Sequence, residues 1–358
     1  MLSSTEQIAF ILLVVVCGGL AFQGFRRIYV IVSQGKPSYR TDDFPLRLIK
    51  ALIDVGLQKP VFKARPIVSI FHAFIFFGFS FYLLVNVNDL LEAFVKGWTT
   101  IGSSNPVALG FNLFSDLFSI FVLVGIIYFL IRRFIGKPKV FEFNNNVKLQ
   151  TEVESGGIRK DSLIVGVFII FHVGARWLGT AFHLAESETT EWSMPTASLV
   201  APFFFGWEGV ETGIHVTWWL AMGLIVLFLP YFPRSKHIHI FLAPLNLAFT
   251  NREAKGKLME PTDSSSPGAS SLDELPWKQV FDSYACIMCT RCHEVCPAHH
   301  SGTPLSPSAL EINKRYFINQ NAAGLANGST KLDLLQDAIS EDAVWSCTTC
   351  MACVEVCP

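Results

Sequence analysis

Eight of the nine cysteines in this chain fall in two runs of one spacing. The first is Cys286-x2-Cys289-x2-Cys292-x3-Cys296-Pro297, and the second is Cys347-x2-Cys350-x2-Cys353-x3-Cys357-Pro358. This spacing suits a [4Fe–4S] cluster: three cysteines on one tight loop cap three irons, and the fourth, placed before proline, ligates the other cluster. It therefore assigns Cys286, Cys289, Cys292 and Cys357 to one cluster, and Cys347, Cys350, Cys353 and Cys296 to the other. Zinc sites use pairs of cysteines rather than doubled runs of four. Disulfide frameworks belong to small secreted domains. The ninth cysteine, Cys17, lies in an apolar stretch and reads as packing.

A second set of residues could bind metal. His72, His172, His183 and His215 lie within or at the ends of long apolar stretches, and His237 and His239 follow the last of them. Histidines inside a bilayer are costly and usually functional. Beside Fe–S motifs, their natural use is axial ligation of b-type haem. The alternative for each is a hydrogen bond to a neighbouring helix.

The elements that must position these groups are membrane helices. The chain is 51% hydrophobic and only 16% charged, which is membrane composition for at least part of it. Its net charge of −1 points away from nucleic acid. Five segments, roughly 8–32, 66–88, 111–134, 161–184 and 212–233, are apolar and long enough to span a bilayer, which takes about 20 helical residues. The first lacks a basic leader and a small-residue cleavage site, so it reads as a span rather than a removed signal peptide. Lys and Arg crowd the connections after the first, third and fifth segments, while the loop after the fourth is acidic, with Glu186, Glu188, Glu191, Glu208 and Glu211. The positive-inside rule then places the N-terminus outside and the C-terminus in the cytoplasm of a multi-pass protein of the inner (plasma) membrane. Cytoplasmic thiols fit that placement. Met194–Trp207, with its Pro and Phe residues, reads as a loop at the outer interface or a re-entrant segment. The expected organisation is all-α: a five-helix membrane domain over 1–250, a flexible Ser/Pro/Gly linker over 251–275, and a dicluster domain over 276–358.

About fifty residues separate the cysteine runs, with helical patterning at Leu310, Ile312, Phe317, Leu332, Leu335 and Ile339. This spacer, with the phrase Val344-Trp345-Ser346-Cys347-Thr348-Thr349-Cys350-Met351-Ala352-Cys353, resembles the α-helical ferredoxin domains of heterodisulfide-reductase-related proteins and of succinate dehydrogenase. The stretches Ile70-Phe71-His72 and Ser235-Lys236-His237-Ile238-His239 resemble the gamma subunit of membrane-bound nitrate reductase, a five-helix dihaem cytochrome b. That resemblance implies that His72, about 9 Å into the second span, pairs with His239 on one haem at the cytoplasmic side, with His237 as the alternative ligand. The family's second pair would fall at Tyr82 and Ala221, neither of which can serve. His183 and His215 match in depth at the outer end and could hold a second haem. His172, about 16 Å into the fourth span, shares a helix face with His183 and could replace either partner. Arg176, one turn on, needs an anion, either a haem propionate or Asp116.

Clusters in the cytoplasm and haem in the bilayer make an electron wire, and the lipid-soluble partner of such a wire is a quinone. The resemblance implies a cytoplasmic reductant, in some members an electron-transferring flavoprotein, and menaquinone as the acceptor pool. It also implies a cysteine-rich CCG-type domain, expected on further residues beyond Pro358 or on a partner subunit. Quinone chemistry takes protons, for which His183, His215, Glu208 and Glu211 are available at the outer face. A membrane anchor and relay without its own quinone site is the alternative role, and a redox sensor is a third.

Overall fold

The computed structural model describes residues 2–37, 42–250 and 268–357. Among them no strand forms, only two isolated bridges, and the protein is all-α. The helices that matter here are α1 (Ser4–Ser33), α2 (Phe44–Gly56), α3 (Pro66–Phe94), α4 (Pro106–Ile131), α5 (Gly157–Glu186), α6 (Pro195–Val200), α7 (Val210–Trp218), α8 (His239–Ala248), α9 (Trp277–Ala285), α10 (Arg291–Glu294), α11 (Pro297–His300), α12 (Pro307–Asn327), α13 (Glu341–Trp345) and α14 (Ala352–Glu355). Five stretches are long and apolar enough to cross a membrane: α1, α3, α4 with its π-helical end, α5, and α7 with its continuation to Phe228. The shortest, 19 residues, is about 28 Å long, close to the hydrocarbon thickness. It stops at Phe228 rather than 233 because Pro230 and Pro233 cannot extend a helix.

The chain divides into two compact units. The first comprises residues 2–21, 67–136 and 162–231. Its helices approach closely where side chains vanish: a Cβ on Gly125 of α4 would lie 2.9 Å from the Phe71 carbonyl oxygen of α3, so this crossing needs glycine. Cys17 is buried with Phe10, Met222 and Val226, as apolar packing. The 194–207 segment folds as α6 and a 3-10 turn, Ala201–Phe204. Asp116 of α4 caps α6 from across the bundle, accepting from the amides of Thr196 (2.7 Å) and Ala197 (3.1 Å).

The second unit comprises residues 22–66, 137–161 and the described residues from 232 onward. It therefore combines the three Lys/Arg-rich connections with the cysteine motifs. Each connection is docked by backbone or amide contacts. Lys36 donates to the Leu275 carbonyl and accepts from the Trp277 amide. A Cβ on the preceding Gly35 would sit 2.6 Å from the Trp277 Cα. Asn313 of α12 donates to the carbonyls of Lys148 and Ala338, both at 2.8 Å. Phe143, Leu149 and Val153 pack with Met288, Ile312 and Tyr316. Of the stretch expected to be a linker, residues 251–267 lie outside the described residues. Residues 268–275 contain a 3-10 turn, and Leu272 is part of the core.

Arg315 of α12 lies at the centre of this unit, 1% exposed. Its Nη2 donates to the carbonyls of Pro233 (3.1 Å) and Ser235 (3.0 Å), and its Nη1 donates to that of Tyr284 (3.4 Å). The guanidinium also covers the Tyr284 ring at 4.7 Å. R315M would leave buried carbonyls without a donor, and each such loss costs about 1–3 kcal/mol. We expect its thermal unfolding midpoint, read from the visible absorbance of the purified protein, to fall clearly. A midpoint equal to the parent's would show that Arg315 is dispensable.

Candidate redox centres

The two cysteine loops have one backbone design. In the first, Met288 (φ 56) and Thr290 (φ 63) are left-handed, and in the second, Thr349 (φ 53) and Met351 (φ 60). Both pairs stand two and four residues after the first cysteine. Such alternation turns successive amides toward a common concavity, a nest for anions of the kind found at Fe–S sites. The Met288 amide donates to Cys286 Sγ at 3.4 Å. In the second loop, the Ala352 amide holds the Cys350 thiol below its ordinary range. Each loop then enters a short helix, α10 or α14, and these two helices pack together. Cys296 immediately precedes α11, whose first residue is Pro297.

The thiols of the two loops lie close enough to influence one another. Burial pushes Cys292 up strongly, and the neighbouring charges of Cys289, Cys357 and Cys353 add to this. The thiol of Cys357 is pushed up to about 12, by loss of solvation first and by Cys289 second, although the residue as a whole is exposed. Cys353 is raised by burial, with Cys296 and Cys347 as further contributors. Crowded thiols resist ionisation until a cation shares them. Among the described residues, no three ligating groups converge on one point as a single ion would require. Eight thiols in doubled runs of this spacing suit clusters, whose iron atoms present separate corners.

The second unit also carries His237 and His239. His239 opens α8, and its Nδ1 lies 2.7 Å from the Lys236 carbonyl. A carbonyl can only accept, so Nδ1 holds the proton and Nε2 keeps its lone pair, the arrangement of a metal-ligating histidine. Both imidazoles are held neutral, the form that binds iron. Burial, then His239 and Lys236, lowers His237 to about 3, and loss of solvation lowers His239.

The first unit holds the other histidines. His72 is half-buried on α3. His172 on α5 is fully buried. Its Nδ1 lies 2.8 Å from the Ala221 carbonyl, its ring meets Tyr82 edge-on at 5.8 Å, and Phe168 stacks beside it at 5.7 Å. Its Nε2 is buried without a hydrogen-bond partner among the described residues. At the end of the bundle read as outer, His183 faces Glu186 at 3.8 Å and His215 contacts Glu6 at 2.9 Å. Glu208 and Glu211 are exposed around the start of α7.

Sequence reasoning missed a polar cavity in this unit. About 50 Å³ in size, it has room for a few waters, and its lining includes Asp89, Glu92, Arg176, Thr180, His183 and Thr217. Arg176 pairs with Asp89 at 3.5 Å, not with Asp116, which caps α6. The signal was present in Asn88-Asp89-Leu90-Leu91-Glu92, two carboxylates one turn apart near the end of an apolar span.

Residues 278–358 match the family of 4Fe-4S dicluster domains. The chain is 28% identical over 367 residues to the probable iron-sulfur-binding oxidoreductase FadF of Bacillus subtilis, covering 91% of this chain and 50% of that protein. It is 24% identical over 390 residues to the EtfAB:quinone oxidoreductase of Syntrophomonas wolfei, covering 99% of this chain and 52% of that one. Over 151 residues, 34% of this chain and 22% of the relative, it is 30% identical to a probable membrane-anchored ferredoxin of Chromohalobacter salexigens. The chain thus spans about half the length of the first two relatives. No solved structure matches. A dicluster domain, five apolar helices of membrane length and similarity to iron–sulfur oxidoreductases make this a membrane-associated electron-transfer protein.

Proposed function

We propose that the chain carries electrons between a cytoplasmic redox partner and the menaquinone pool, through two [4Fe–4S] clusters and b haem. One observation carries this reading. Within a single compact unit, Arg315 joins Ser235, which leads into His237 and His239, to Tyr284, which leads into Cys286. The candidate haem segment and the first cysteine loop are therefore parts of one scaffold. When bound, the clusters and haem would pass single electrons, and quinone takes up two electrons with two protons.

The crossed set is Cys286, Cys289, Cys292 and Cys357 for one cluster, and Cys347, Cys350, Cys353 and Cys296 for the other, supported by the influence of Cys289 on Cys357 and of Cys296 on Cys353. His72 and His239 are the axial pair for the inner haem, supported by the free Nε2 of His239. For a second haem, the surroundings favour His172 over His183 and His215. Its Nδ1 is fixed and its Nε2 lacks a partner, whereas the other two face carboxylates. It also touches Tyr82 and Ala221, the two positions where the nitrate-reductase-gamma resemblance puts the second pair.

The second unit collects all three basic connections, which supports a cytoplasmic location for it, with the N-terminus outside. Proton exchange for the quinone then falls to the polar cavity of the first unit, lined by Asp89, Glu92, Arg176 and His183. Glu208 and Glu211 serve better as a solvated acidic surface. One relative's name joins EtfAB to quinone, which supports an electron-transferring flavoprotein as the donor. A CCG-type domain, on further residues or on a partner subunit, completes the expected assembly.

Iron analysis should give about eight irons per chain. C357S should disturb the EPR signal of the cluster at Cys286, Cys289 and Cys292, not that of the nearer loop; loss confined to the nearer loop would reverse the assignment. H239A and H72A should each remove the same haem from the dithionite-reduced spectrum, and H172A a different one. Normal haem content in all three variants would eliminate the histidine assignments. A menaquinone analogue should reoxidise the reduced protein. If haem and clusters stay reduced, the chain is a relay without a quinone site of its own.

A further inference from the structure

The two cysteine loops share spacing, left-handed positions and the following short helix, yet they differ in fixed charge at one position. The residue before the third cysteine is Arg291 in the first loop and Ala352 in the second. Arg291 is only 5% exposed, and its Nε and Nη1 find no hydrogen-bond partner among the described residues. Several other cations of this region have carboxylates, Arg65 with Glu294, Lys278 with Asp282, Lys314 with Glu311 and Lys63 with Glu355, and the buried Arg315 gives both terminal nitrogens to backbone carbonyls, leaving its Nε open. Arg65 also donates to the Cys289 carbonyl at 3.1 Å. A buried guanidinium with open donors is expensive unless an anion lies beside it. Arg291 stands between Cys289 and Cys292 in the first loop.

We infer that Arg291 raises the reduction potential of the cluster at Cys286, Cys289, Cys292 and Cys357 relative to that of its neighbour. This inference rests on the cluster assignment proposed above. Reduction adds one negative charge, and a fixed cation nearby stabilises the charged product. Net charge, hydrogen bonds to sulfur and solvent exposure are the protein's means of setting such potentials. The first cluster has the buried cation. The second has Ala352 at that place, with Cys347 and Cys350 exposed. Water around those cysteines also favours reduction, so Arg291 opposes a bias that would otherwise hold electrons at the second loop. An electron exchanged within the pair reduces one cluster as it oxidises the other, and Arg291 tilts that exchange toward the first.

The test is an EPR-monitored redox titration of the whole protein, following each cluster separately. R291M should lower the midpoint of the first cluster enough to change its reduced-to-oxidised ratio tenfold or more, about 59 mV for one electron, and leave the second unmoved. R291K should restore part of the shift, because it returns charge without the guanidinium's shape. A352R should raise the midpoint of the second cluster. With eight irons present, unchanged midpoints in R291M and A352R would overturn the inference while leaving the cluster reading intact. Fewer than eight irons in the parent would overturn the cluster reading itself. If R291M loses iron, A352R decides alone: a raised second midpoint supports the role of charge at this position, and an unmoved one refutes it.

Discussion

The second unit depends on one buried cation. Arg315 satisfies three carbonyls that belong to different parts of the chain, Pro233, Ser235 and Tyr284. None of these carbonyls ends a long helix that could satisfy it locally. One follows the proline-rich turn after the fifth span, one precedes the histidine pair, and one lies in the last turn before the first cysteine loop. A guanidinium can serve several acceptors because its donors are fixed in a planar fork. Hydrogen bonds to a charged donor are about twice as strong as neutral ones, and ring contact with Tyr284 offsets part of the desolvation. The apolar core formed by Ile238, Val280, Phe281, Ile318 and Leu332 closes around this junction. Apolar contacts are non-directional, whereas Arg315 fixes which carbonyls meet.

The first unit meets the opposite difficulty, polar groups in apolar sequence. It answers by local neutralisation. Asp116 accepts from two amides and the Thr196 hydroxyl (2.7 Å), so its charge terminates α6. Arg176 and Asp89 offset each other beside a cavity large enough for water. Ser119 donates to the Ser115 carbonyl at 2.6 Å, which leaves Tyr82 to donate to Ser119, also at 2.6 Å. His172 has one nitrogen satisfied and the other not, and Asn86 Oδ1 and Ser115 Oγ likewise lack a partner among the described residues. In a bilayer an unsatisfied ring nitrogen is costly, which supports the ligand role proposed for His172.

Much of this was legible in the sequence because it is local. Cysteine spacing needs only a loop, membrane spans need only twenty apolar residues, and helical periodicity in the 308–343 spacer showed an all-α domain. The rest depends on contacts between residues far apart in sequence. The connection at 137–161 reads as a basic loop, yet Asn144 donates to the His299 carbonyl at 2.9 Å and the Gln150 amide to Asn313. Single amide side chains leave no periodic signal. Asp116 was visible as a charge in an apolar run, but its partner could have been Arg176, and only the fold shows the amides of α6 in that place. The cavity at Asp89 and Arg176 has the same origin: two charges on different helices, 87 residues apart.

The candidate ligands are prepared in opposite ways, and this separates the two kinds of centre. Thiols must lose protons to bind iron, and here loss of solvation and neighbouring thiols hold Cys286, Cys292, Cys353 and Cys357 protonated, whereas the exposed Cys350 is held below its ordinary range. Their nests of amides favour the anion nevertheless. The metal must therefore supply the driving force, and binding should release protons. The imidazoles need no such step. His237 and His239 are kept neutral by burial and by neighbouring positive charge, and a backbone carbonyl already fixes the Nδ1 proton of His239. A cluster site on such thiols, as proposed, would depend on iron to become stable, whereas the proposed histidine site would be set before a cofactor arrived. The doubled cysteine loops would then fold fully only as they are metallated, around a scaffold that Arg315 and the docked connections have already assembled.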